Sequence, residues 1–303
     1  MNATRIVLSL ILLGLPALCL PWVSRARRPA AWAGVSVIAL GAGFVLFLAS
    51  MIHAALPLVF TGLGLFELAA ICRRLGGHLF GAAAPFSAFA GLFAAVVIAQ
   101  AWRGLYRLVY ANRTFQDGGD LGVRGRVGGV DVVSLPTPEH LTLAIPGGSP
   151  LVLMSRGSLR SLAPAEAVAV VRHEMAHLRH HHRWFLALGA LVRWGLWFVP
   201  WVKTSERALH LALERWADED AAGGRRERWV HLKGAISRLS PSAGSRGGLW
   251  EARLAAAERS AIGVGGPGEW SWWLVAAAIL PLVITLTVTL VVHLNEVFRL
   301  LDG

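Results

Sequence analysis

The chain has 303 residues, of which 55% are hydrophobic and only 16% charged, with a mean hydropathy of +0.55. Soluble domains usually carry about 25% charged residues, so the composition excludes an ordinary water-soluble globule and implies contact with a lipid bilayer. The net charge of +11 argues for no nucleic-acid partner, because 22 of the 29 Lys and Arg residues fall between Arg103 and Arg259, mostly singly, with no basic stripe or tail.

The first apolar run, residues 6–23, is about one bilayer long. The stretch Pro21-Trp22-Val23-Ser24-Arg25 is a poor cleavage site, so the run reads as a retained transmembrane helix rather than a signal peptide. Arg25, Arg27 and Arg28 form the following loop, and residues 31–51 make a second span. By the positive-inside rule that loop is cytoplasmic and the N-terminus lies outside. Residues 54–72 are apolar but short, broken by Pro57 and several glycines and carrying Glu67, and fit either a re-entrant segment or an extra span. A third clear span covers residues 85–102, and Arg103, Arg107 and Arg113 follow it. Three crossings put everything after Trp102 in the cytoplasm; a fourth through 54–72 would turn it outward.

The spans make residues 1–110 a membrane region, and residues 111–268 read as a separate α+β domain. Residues 112–129 are rich in Gly, Asp and Arg and read as a linker. Three short β-like runs come next, at 130–135, 141–145 and 151–155, separated by Pro136, Pro138 and the turn Pro146-Gly147-Gly148-Ser149-Pro150. A helix starts near Pro164, with Glu166 in its first turn, and runs to His182. Residues 184–202 hold four tryptophans together with Arg193 and Pro200, which suits a helix lying at the membrane interface or dipping into it. An amphipathic helix covers 205–222, a basic polar stretch covers 223–248, and a short helix covers 249–260. A final transmembrane helix is expected at 270–294, within a C-terminal segment 269–303 that begins with Trp270, Trp272 and Trp273.

The chemistry lies in His173-Glu174-Met175-Ala176-His177, an H-E-x-x-H sequence. Histidines at i and i+4 share a helix face and can present two imidazole nitrogens to one metal ion, with the adjacent glutamate beside the metal's water. A hydrolytic zinc site needs three protein ligands and an open position. Glu214, 37 residues after His177 on its own helix, is the candidate third ligand. Asp218, four residues further on the same face, can orient a ligand histidine from behind. In this reading Glu174 takes a proton from an attacking water and passes it to the leaving amine, while zinc acidifies that water and polarises the peptide carbonyl. Cys19 and Cys72 lie in or beside apolar runs with no ligand-type neighbours, so the metal must be held by His and carboxylate.

These residues resemble the membrane metallopeptidases of the gluzincin group, most closely the BlaR/MecR-type antirepressor peptidases. HtpX-like and CAAX-prenyl-protease families share the ligand pattern. The resemblance covers residues 130–222 and includes the Pro146-Gly147 turn, Val152-Leu153-Met154-Ser155-Arg156-Gly157, Leu162-Ala163-Pro164-Ala165-Glu166 and Glu214-x-x-Ala217-Asp218. It implies a zinc-dependent endopeptidase with membrane spans before and after a cytoplasmic catalytic domain, acting on a protein or peptide substrate. Two departures stand out. Ala163 occupies the helix-capping position, and nothing like an extracellular penicillin-binding sensor follows the last span.

Other residues carry weaker signals. His180, His181 and His182 read as a solvated or headgroup-facing helix end, and Glu219 and Asp220 as a solvated face. His210, Arg215 and His231 are candidates for stabilising an oxyanion. Residues 223–228 and 242–248 are loops where self-cleavage is conceivable by analogy. The alternative to a peptidase is a membrane signalling or scaffold protein with a non-catalytic metal site. A metal-transport protein fits poorly, since most of the eleven histidines are scattered outside the spans.

Overall fold

The structure is a computed structural model that describes residues 2–23, 25, 28–76, 84–118, 123–145, 151–239 and 247–261. The expected C-terminal span, the turn 146–150 and most of the loop 242–248 lie outside these residues. The chain begins with four helices, α1 (Asn2–Val23), α2 (Pro29–Gly62), α3 (Phe66–Gly76) and α4 (Ala84–Gly118). Among the described residues three segments are long and apolar enough to cross a membrane: Arg5–Val23, Pro29–Gly62 and Ser87–Arg107. Residues 54–72 form no separate helix long enough to cross. Their first part continues α2, whose 34 residues extend roughly 50 Å at 1.5 Å per residue, well beyond a hydrocarbon core of about 30 Å. Their second part falls in α3, which has 11 residues and is too short to cross.

A four-stranded sheet follows, made of β1 (Val123–Val127), β2 (Val130–Leu135), β3 (Thr142–Ile145) and β4 (Leu151–Ser155), in the order β1-β2-β4-β3. β2 and β4 run parallel, and β1 and β3 flank them antiparallel as edge strands. β1 and the end of α4 replace much of the linker expected at 112–129. The hairpin between β1 and β2 turns on Gly128 and Gly129 at φ of +58° and +84°, conformations that glycine adopts without steric cost. Alternation along β2 and β4 sends Val132, Val152 and Met154 to one face, and Val133 and Leu153 to the other with Ile145.

Six helices complete the described chain: α5 (Arg156–Ser161), α6 (Pro164–Arg179), α7 (His182–Gly195), α8 (Val202–Ala222), α9 (Arg226–Leu239) and α10 (Gly247–Ala261). Gly157, at the start of α5, lies against the Pro138 carbonyl where a Cβ has no room. α6 ends at Arg179 rather than His182, because His181 takes a left-handed conformation and a new helix begins at once. α9 occupies the stretch expected to be merely basic and polar. Its Trp229, Leu232 and Ile236 are buried with Ala257 of α10.

The segment 184–202 is not one helix. α7 stops at Gly195, and a turn ending at Trp201 leads into α8. This hairpin wedges among the candidate spans: Phe198 packs on Phe47 and Phe93 at ring distances of 6.0 and 5.0 Å, and Trp201 fills the space beside Gly14. The largest apolar cluster accordingly joins α1, α2, α4, α7 and α8, including the buried Leu13, Leu40, Val97, Leu196 and Leu209.

Two polar links fasten α8 to α1. Pro16 removes a backbone N–H and crowds the preceding turn of α1, which weakens the helical ladder there. The Ser205 hydroxyl sits at that turn, donating to the Leu13 carbonyl at 2.6 Å and accepting from the Ala17 amide at 3.2 Å. Further along, the buried Arg215 donates to the Val23 carbonyl at 2.6 Å. Replacing Ser205 by Ala should destabilise the protein by about 1 kcal/mol, the cost of a lost interhelical hydrogen bond. Thermal unfolding in detergent checks this, and an unchanged midpoint would show that the link contributes nothing.

Candidate active site

α6 owes its position to its first turn. Ala163 offers no capping oxygen, but its own N–H donates to Glu166 Oε2 at 2.8 Å, so the reciprocal half of a capping box survives. Arg238 of α9 pairs with the same carboxylate at 3.1 Å. Val170 and Val171 anchor the helix on the sheet, and His173, Glu174 and His177 project from it towards α8 and β3.

The His173 and His177 Nε2 atoms face each other at 3.1 Å. Glu214 Oε2 lies 3.4 Å from the first and Glu214 Oε1 3.5 Å from the second. The three ligand-type groups lie within 4.8 Å of one another and could hold a metal ion. The donor chemistry fits a divalent metal such as zinc: two imidazole nitrogens and one carboxylate converge, with the far side of each ring engaged elsewhere. His173 Nδ1 pairs with Asp218 Oδ1 at 2.8 Å, and His177 Nδ1 meets His182 Nδ1 at 2.8 Å. Glu174 Oε2 accepts the Ala144 N–H of β3 at 3.1 Å. The sequence candidates His173, Glu174, His177, Glu214 and Asp218 are therefore brought together in one place. All but Asp218 border a cavity of about 1050 Å³ whose other walls are mostly apolar and include Leu105 of α4 and Trp184 of α7.

Arg253 of α10 was not singled out by the sequence, yet it is the site's principal cation. Its side chain is buried and forks onto Asp218, Nε to Oδ2 at 3.0 Å and Nη2 to Oδ1 at 2.7 Å. Its Nη1 lies 2.7 Å from Glu214 Oε2. Burial alone would raise the Glu214 and Asp218 carboxyls, but Arg253 and the histidines outweigh it. Glu214 is held well below the usual carboxylate range and Asp218 at about 2. Burial pushes the His173 imidazolium down, while the Asp218 charge and its hydrogen bond win and lift it to about 9. His177 is pushed down by burial and then by the neighbouring His173.

Several expected surface groups are engaged instead. His182 is fully buried, and burial followed by the charges of His177 and His180 pushes it down to about 3. His180 stacks on Trp216 at 4.5 Å, and Asp220 pairs with both Arg179 and His180. Glu219 is not a freely solvated group either, since burial raises it to about 7 beside Arg215. None of the three oxyanion candidates lines the cavity: Arg215 donates to the Val23 carbonyl, and the partly exposed His210 and His231 lie 4.0 Å from their helical neighbours Glu206 and Glu227.

Over 82 residues the chain is 33% identical to the plastoglobule-localized metallopeptidase 48, chloroplastic, of Arabidopsis thaliana. The match covers 27% of this chain and 24% of that protein, so the chain spans about a quarter of the length of the curated relative it matches. No family model matches, and no solved structure does.

Arg253→Met should cost about 3–5 kcal/mol, because it leaves the buried Asp218 carboxylate, with Glu214 beside it, without its cation. Denaturant unfolding of the variant tests this, and a loss near zero would show that the network is not structural. Among the shifted groups, Asp218 and His173 make stabilising contributions at opposite ends of the pH range in the metal-free protein. Asp218, depressed in the fold, contributes fully above the ordinary Asp value near pH 4, and its contribution is lost as pH falls towards 2. His173, raised in the fold, contributes fully below about pH 6.5, and its contribution is lost as pH rises through 9. Unfolding midpoints measured from pH 2 to 10 should fall at both ends, with the loss near pH 9 reduced in His173→Gln.

Proposed function

We propose that the protein is an integral-membrane zinc endopeptidase that hydrolyses peptide bonds of a protein substrate, either a repressor or a membrane-associated protein. The observation that carries the reading is the convergence of His173 Nε2, His177 Nε2 and the Glu214 carboxylate beside Glu174, on the rim of a cavity large enough for a peptide. The metallopeptidase named above supports the same class of chemistry. His173, His177 and Glu214 would hold the metal. When bound, zinc supplies Lewis acidity that acidifies water and polarises a carbonyl.

The chain's own groups supply the rest. Glu174 is the general base and then the general acid: it takes a proton from the attacking water and delivers it to the leaving amine. One of its oxygens is steadied by the Ala144 amide, which limits the rotamers it must search. Asp218 pairs with His173 Nδ1 and so keeps Nε2 on the side facing His177 and Glu214. Arg253 locks Asp218 and Glu214 in register with each other and keeps both ionised. The burial of Asp218 and Arg253 and the mostly apolar walls lower the local dielectric, which strengthens these electrostatic contacts.

The kinship with BlaR/MecR-type peptidases belongs to this proposal. So do the division into a membrane region 1–110, a catalytic domain 111–268 and a C-terminal span 269–303, and a cytoplasmic catalytic face in the cell membrane. The arginines following the spans support that orientation.

Glu174→Gln should lower peptide hydrolysis by about 10²–10⁴-fold while leaving zinc content intact. His177→Ala should lose the zinc. Elemental analysis of the detergent-purified proteins, beside cleavage of a casein-type substrate, reads both. Wild-type protein that takes up no zinc from a supplemented buffer would overturn the proposal.

A further inference from the structure

The His180–His182 run follows the metal-binding helix, yet only one of its members turns back into it. His181 adopts φ of 53° and is the sole non-glycine residue with positive φ among those described. That left-handed step links α6 to α7 across a turn of only two residues, His180 and His181. It carries His182 beneath His177, where its ring is completely buried and its Nδ1 lies 2.8 Å from His177 Nδ1. Around the ring stand Trp216, Phe185 and His180, at 4.8, 6.3 and 5.8 Å between centroids. Among the described residues no carboxylate is paired with it.

Two nitrogens 2.8 Å apart must share one proton, and where it sits decides what the far side of His177 can do. If His177 Nδ1 holds the proton, His177 Nε2 carries a lone pair facing His173 and Glu214. If His182 Nδ1 holds it, the neutral His177 bears its own proton on Nε2 and the ligand face is closed. We propose that His182 is the positioning residue of His177: its Nδ1 accepts the His177 Nδ1–H and thereby selects the metal-binding tautomer. Asp218 does this for His173, so the two ligand rings are oriented by unlike partners, one anionic and one neutral. A neutral acceptor adds no negative charge beside a centre already carrying Glu214, Glu174 and Asp218. The inference rests on the metal-ligand reading of His177, but the tautomer can be observed without metal.

The test is imidazole nitrogen NMR on ¹⁵N-histidine-labelled full-length protein in detergent, with the His177 signals assigned from His177→Ala. It is paired with zinc affinity measured by chelator competition. The expected result is a His177 ring protonated on Nδ1 in wild type. His182→Phe should shift that equilibrium and weaken zinc binding about 10–100-fold, and His182→Gln, which keeps an acceptor, should recover most of the loss. A wild-type His177 protonated on Nε2 would overturn the proposal even if the Phe variant fails to fold. A folded His182→Phe with unchanged tautomer and zinc affinity would do the same. The Nδ1–H tautomer in a wild-type protein that binds no zinc would uphold the role of His182 while removing the peptidase reading.

Discussion

Arg253 is the constraint on which the site depends. Two carboxylates, the partly buried Glu214 and the buried Asp218, lie one helical turn apart on α8, and Asp218 in particular needs a counter-charge there. A lysine would offer a point charge, whereas the guanidinium fork reaches both carboxylates in one plane and cannot be neutralised. Because the arginine comes from α10, α6 and α8 alone do not complete the cluster. The histidines bring nitrogen donors, the carboxylates bring charge, and the arginine makes that charge affordable in a buried place.

The surroundings follow from how α7 and α8 are held. A zinc-type site on two helices needs those helices fixed to within a fraction of an ångström, and a small sheet gripping α6 from one side cannot fix α8 as well. Here α8 is fixed by the apolar helices Arg5–Val23 and Pro29–Gly62, through the same cluster of Leu13, Leu40, Leu209 and Leu213 that fills the space between them. The helices long enough to cross a membrane are thus part of the scaffold of the site and not merely a tether for it. The apolar cavity wall contributed by Leu105 is one consequence of that sharing.

Much of this was legible in the sequence where a pattern is local. The i, i+4 histidines define one helix face whatever surrounds them, and Glu214 and Asp218 repeat the same spacing on another helix. The period-2 runs at 130–135 and 151–155 correspond to β2 and β4. What escaped notice depends on distant partners. Arg253 stands 35 residues from Asp218 in a short helix with ordinary composition, and only its burial marks it. Three adjacent histidines look alike until the backbone at His181 decides which one turns inward. β1 was hidden by its arginines, although Gly128-Gly129 between two valine-bearing runs is a hairpin signal. In α9 the helical spacing of Trp229, Leu232 and Ile236 was present but obscured by basic neighbours.

The link between Ser205 and the Pro16 turn of α1 has a consequence for the order of synthesis. The partners are 188 to 192 residues apart, so α1 leaves the ribosome long before its bridging hydroxyl exists. At about 5–20 residues per second the interval is roughly 10–40 s. During that time the Leu13 carbonyl and the Ala17 amide have only each other along the helix, and the Val23 carbonyl at the helix end must be satisfied by water, lipid headgroups or another protein. Docking of α8 then brings Ser205 to the first two and Arg215 to the third, on the same helix that carries Glu214 and Asp218. The charged cluster, whose Glu214, Asp218 and Arg253 all lie on still later segments, is therefore completed only after the first helix has long been made.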